Sequence, residues 1–87
     1  MREMTMMTQT AAYPLTMARP GERVRIVALA GGRSLDRRLT DLGLALGSIV
    51  RIVQNQMTGP MIVAIHESRV GLGMGMAQKL TVEPIRD

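Results

Sequence analysis

Residues 34–53 read SLDRRLTDLGLALGSIVRIV, and the fold turns on them. Ser34 is a residue type that accepts a hydrogen bond from the amides opening a helix. Asp36 follows in the first turn, where a carboxylate meets the positive end of the helix dipole. Leu35, Leu39 and Leu42 recur at i, i+4 and i+7, one apolar stripe on a helix of about nine residues. Gly43 falls where a left-handed residue ends a helix, and Leu44 is placed to fold back on Leu39. So short a helix does not persist alone in water, so its leucines must be clamped against something apolar. Gly47 then turns the chain into the β-branched run SIVRIVQN, a strand. The pattern predicts a helix set as a plug between two strands of one sheet.

Upstream, Pro20-Gly21 suits the centre of a type II turn, and ERVRIVAL alternates as a strand, with Val24, Ile26 and Ala28 on one face and Arg23 and Arg25 on the other. Gly31-Gly32 ends it. Before the turn, Pro14 confines YPLTMA to a sheet edge or a strand start. Downstream, a loop at Thr58-Gly59-Pro60 leads into a third strand, MIVAIH. A short strand follows at Arg69 to Leu72, then a glycine-rich bend or single helical turn at Met74 to Gln78. A last strand, Leu80 to Glu83, turns Leu80 and Val82 inward. Short strands with glycine corners and one small helix predict a mainly β fold, a small, strongly bent barrel with one short inserted α-helix. Residues 1–12, MREMTMMTQTAA, read as a disordered leader, and 13–87 as the single domain.

Size and composition narrow the function. A chain of 87 residues has room for one domain. There is no cysteine, hence no disulfide, no thiolate metal site and no thiol nucleophile. The net charge is +4 and ten of the eleven cations are arginines, a basic surface suited to nucleic acid, anionic lipid or an acidic protein. With one tyrosine and no Phe or Trp, the chain lacks the stacking platform of single-strand binders and the aromatic groove that reads proline-rich peptides. No apolar run approaches the ~20 residues of a membrane helix, and the opening residues are too polar for a signal peptide. The chain reads as cytoplasmic.

Little in the sequence offers catalysis. His66 is the one histidine, and neither a metal-ligand spacing nor an acid–base pair surrounds it. With Glu67 beside it on the opposite face of an extended chain, the two would not converge. GLGMGMA at 71–77 would need a strand before it and a long helix after it within one βαβ unit to be a nucleotide fingerprint, and only about ten residues follow it here, so its glycines are read as a barrel corner. No catalytic residue, no metal site and no cofactor is assigned. Met57 and Met74 fall in expected loops, where a flexible, polarizable side chain suits contact with a partner. Arg37, Arg38 and Asp41 belong to the helix side opposite the leucine stripe and are likewise expected to meet a partner. The plainer alternative is an Arg37–Asp41 pair across one turn, which stabilises by only about 0.3 kcal/mol.

The segments PGERVRIVAL, RRLTDLGLALGSIVRIV, GPMIVAI and RVGLGMGMAQKLTVEPI, in this order, resemble the FeoA family. The resemblance runs from about Leu15 to Ile85 and is most specific at Arg38-Leu39, Leu42-Gly43-Leu44 and Gly47. It implies an SH3-like β-barrel with a small helical insertion. The function it implies is that of a non-enzymatic accessory protein docking on the cytoplasmic part of FeoB, the bacterial ferrous-iron membrane transporter that carries a GTPase domain. Contact with the membrane would then run only through that partner, and a homo-oligomer stays open. Two alternatives stand beside it. One is the regulatory barrel of metal-dependent transcriptional repressors, which resembles FeoA; no helix-turn-helix or metal-ligand cluster precedes the barrel here. The other is a weak, sequence-blind nucleic-acid binder with steep salt dependence and no stable complex.

Overall fold

The computed structural model describes residues 12–56 and 58–85. Residues 1–11 of the leader expected at 1–12 lie outside them, as do Met57 and residues 86–87. Six strands and two short helices follow in chain order: β1 (Tyr13–Pro14), a 3-10 turn (Leu15–Met17), β2 (Arg23–Leu29), α1 (Gly32–Asp41), β3 (Ile49–Gln54), β4 (Met61–Ile65), β5 (Ser68–Leu72), α2 (Met74–Ala77) and β6 (Leu80–Pro84). They form one sheet in the order β1-β6-β2-β3-β4-β5, each neighbouring pair antiparallel. The fold is the expected mainly β, SH3-like barrel, although β1 and β5 do not pair and the sheet stays open at that seam.

Period-two alternation builds the core. Val24 and Ile26, Val50 and Ile52, Met61, Val63 and Ile65, Leu72, and Leu80 and Val82 all point inward. Leu15, Leu35, Leu39, Leu44 and Ala77 close the ends, and no polar or charged side chain among the described residues is buried. Met61 is fully buried, where an unbranched side chain adapts to a core without Phe or Trp.

Two bulges bend the sheet. Ile26 faces Val82 while Ala28 faces Thr81, so β2 holds one more residue, Val27, than β6 does there. A second bulge places Val53 of β3 between the pairs Ile52–Val63 and Gln54–Ile62. The first overturns the expected inward face of Ala28: the extra residue shifts the alternation, Ala28 is exposed, and Leu29 turns toward the core instead.

The turns use local chemistry. Gly21 has φ +94°, and the Glu22 N–H donates to the Arg19 carbonyl at 3.0 Å, closing the type II turn anticipated at Pro20-Gly21. His66 and Glu67 are the two-residue link of the β4–β5 hairpin, since Ile65 pairs with Ser68. They are turn residues, not the strand end expected. At the open seam, the Asn55 Nδ2 amide donates to the carbonyls of Thr16 and Ala18, at 3.0 and 2.7 Å, tying the 3-10 turn to the end of β3. The same turn packs against α2, so the two ends of the sheet meet through helical turns rather than a strand ladder. No helix among the described residues is long and apolar enough to cross a membrane.

Candidate docking site

The helix α1 begins earlier than the sequence suggests. Gly31, not Ser34, occupies the N-cap position, no side chain caps the first amides, and no acid lies in the first turn. Ser34 and Asp36 are both interior helical residues. Gly31 is required there for space, because a Cβ at this position would lie 2.5 Å from Cδ2 of Leu35, whose side chain folds over it. The end of the helix follows expectation. Gly43, at φ +87°, donates its N–H to the Thr40 carbonyl at 2.9 Å, and the Leu44 N–H donates to the Leu39 carbonyl at 2.8 Å. These two bonds make a Schellman ending, in which a left-handed residue satisfies the last carbonyls.

Leu35 and Leu39 are buried and pin α1 over one end of the barrel. Leu42, expected in the same stripe, is 37% exposed. It is the C-cap residue, after which the chain leaves the helix path, and Leu44 takes the buried place instead.

With that face buried, Arg33, Arg37, Arg38 and Asp41 are exposed. Together with Ser34 they line a shallow depression of about 310 Å³ along the helix. Among the described residues, the ion pair is Arg25–Glu83, at 3.0 Å on the sheet, and Arg37 and Asp41 do not pair. The charges at the two ends of α1 oppose its dipole, with Arg33 in the first turn and Asp41 in the last; only Arg38 is placed to favour it. This is a charge pattern that helix stability alone does not favour.

Arg38 also borders a second depression of about 330 Å³, where α1 meets the α2–β6 corner and Gly31, Ser34, Leu35, Gly73, Met76 and Lys79 complete the wall. Sequence reasoning missed Arg33 and Lys79. Arg33 was legible as the residue four before Arg37, but Lys79 was not. It reaches α1 because the Ala30 N–H donates to the Lys79 carbonyl at 2.9 Å, joining the start of β6 to the β2–α1 link. Met74 opens α2, rather than lying in a loop, and packs partly against the core. Among the described residues, no three His, Asp or Glu side chains are grouped so as to hold a metal ion.

A family model described as the FeoA domain matches residues 13–84. The Fe(2+) transport protein A of Methanocaldococcus jannaschii is 35% identical over 71 residues, which is 82% of this chain and 85% of that protein. The fold is similar to the crystal structure of an iron uptake regulatory protein, FeoA, with a TM-score of 0.81 and 25% identity over 86% of this chain and 100% of that one. It is also similar to a manganese-dependent transcriptional repressor, with a TM-score of 0.78 and 24% identity over 90% of this chain and 44% of that one; this second likeness is one of fold alone. Family match, relative and barrel with its leucine-pinned helix agree, and the chain belongs to the FeoA family.

Proposed function

We propose that this chain is a non-enzymatic accessory of ferrous iron uptake that works in the cytoplasm and docks on a FeoB-type transporter through the exposed side of α1. The membership of the FeoA family supports the link to ferrous iron, as does the name of the 35% identical relative. One observation carries the choice of surface. Arg33, Arg37 and Arg38 stand exposed, without ion pairs among the described residues, on a helix whose other face is held by buried leucines. Such a helix holds in place the backbone that carries these charges, so a partner gains contact without ordering the segment first. The fitting partner surface is acidic, with one basic group to meet Asp41. Met74 contributes only the part that α2 leaves exposed, on the element that borders the Arg38–Lys79 depression.

The test is the double charge reversal Arg37→Glu, Arg38→Glu. Both residues are exposed, so the folded chain should keep its circular dichroism spectrum and its melting midpoint within a few degrees. Ferrous uptake that depends on the transporter should fall, together with co-purification of the chain with that transporter from membranes. Unchanged uptake at normal protein levels would remove α1 as the docking surface. A gel shift with RNA or duplex DNA at physiological salt should stay negative, because α1 is too short to read a groove and the domain has no aromatic stacking surface.

A further inference from the structure

The open seam leaves β5 with β4 as its one neighbour in the sheet. In an antiparallel ladder, opposed residues alternate between pairs that exchange backbone bonds and pairs that do not. Ile52 of β3 uses both its backbone groups toward the start of β2: its N–H donates to the Glu22 carbonyl at 2.9 Å, and its carbonyl accepts the Gly21 N–H at 2.7 Å. Arg51 therefore turns its own groups toward β4, and Arg51–Ala64 is a bonded pair. On the other side of β4, Ala64–Arg69 and Ile62–Gly71 are then non-bonded pairs, with the bonded pair Val63–Val70 between them. The N–H and C=O groups of Arg69 and Gly71 consequently point away from the sheet. Both residues are exposed, and among the described residues no turn, cap or strand takes up those groups.

Free edges of this kind accept another strand, and proteins usually blunt them with a proline, a bulge or a charge. The opposite edge of the sheet carries Pro14 in β1. β5 has no proline, and its register against β4 runs unbroken from Met61–Leu72 to Ile65–Ser68. Its one charge is Arg69.

We propose that β5 pairs antiparallel with β5 of a second copy of this chain, about a two-fold axis at Val70. This register overlaps the strands over their whole length, Ser68 opposite Leu72 and Arg69 opposite Gly71. Arg69 and Gly71 of the second copy form a bonded pair, and the symmetry repeats it, so every outward backbone group finds a partner. The Arg69 side chain then faces a residue that has none, and the two arginines are not opposed. Half-buried Val70 meets its own symmetry mate, a β-branched pair that favours pairing. An axis at Arg69 would set like charges opposite each other, and an axis at Gly71 would run the pairing past the end of β5. A second copy therefore fits this edge in one register. Two such short strands bury well under the about 1,200 Å² of a standard interface, so the dissociation constant should be on the order of 0.1 to 1 mM. The strand shares no residue with the depressions beside α1, and this pairing is independent of the docking assigned there.

The full chain, raised in concentration from about 20 µM to about 1 mM, should sediment faster and show NMR amide shifts centred on Arg69, Val70 and Gly71. Position 71 supplies matched variants, because a Cβ added there meets nothing within 4 Å and the fold admits a side chain. Gly71→Glu sets a carboxylate opposite Arg69 of the second copy and should tighten the association several-fold. Gly71→Arg sets a cation there and should abolish it over the same range. Both variants should keep the circular dichroism spectrum of the parent chain, so a difference between them reads the pairing and not the fold. A sedimentation coefficient of the parent chain that stays constant with concentration overturns the proposal. So do shifts centred on another surface, or an association that Gly71→Arg leaves intact.

Discussion

Tyr13 is the one tyrosine in the chain, and its ionisation therefore has a clean optical signal. Partial burial, and then the charge of the Glu22 carboxylate and its hydrogen bond with the phenol, push the pKa up from the ordinary 10.0. The folded chain thus holds this proton more tightly than the unfolded one. The resulting stability is complete below pH 10 and is lost as pH rises through the folded value. A near-ultraviolet titration should give a midpoint above 10.0 that Glu22→Gln lowers without restoring the ordinary value, because burial is the larger cause. A midpoint unmoved by Glu22→Gln would show that the carboxylate contributes nothing. Tyr13 and Glu22 are distant in sequence and lie on either side of the Pro20-Gly21 turn, so only the folded β1 edge brings them together.

At the scale of one element, α1 separates leucines that spacing made equivalent. Leu39→Ala empties a fully buried site and should cost about 3 kcal/mol in urea unfolding, whereas Leu42→Ala, at the exposed C-cap, should cost under about 1 kcal/mol. Equal losses would mean that Leu42 is buried after all. The existence of the helix, its arginine face and its glycine stop were legible because each depends on neighbours within one or two turns. Its start was not. Ser34 carries the usual capping side chain, but the chain enters the helix at Gly31, where the deciding fact is the bulk of Leu35 lying over a backbone with no Cβ. Pattern reading found the short hairpin strands for the same local reason, and it missed His66-Glu67 as their turn because neither residue is a customary one there.

Across the whole molecule, the barrel is closed by side chain and helical turn. Asn55→Ala removes two hydrogen bonds to the 3-10 turn and should lower stability by about 2 kcal/mol. It should also speed amide exchange around Leu15 and Ala18 before it affects β2 or β3, and uniform acceleration would argue against a local seam. The contacts that matter here join residues far apart in the chain, Asn55 to Thr16 and Lys79 to Ala30, which is why neither the seam nor the second wall of the Arg38 depression was legible beforehand. The bulge in β2 has a further consequence, for how the length of the chain can vary. Deleting Val27 leaves Ile26 opposite Val82, Ala28 opposite Thr81 and Leu29 opposite Leu80, with every neighbour still on its present side. Deleting Arg25, two positions earlier, would force either Val24 or Ile26 out of the core. Natural shortening of this domain by a single residue therefore has a ready place at Val27, and a chain lacking it should still fold cooperatively where one lacking Arg25 does not.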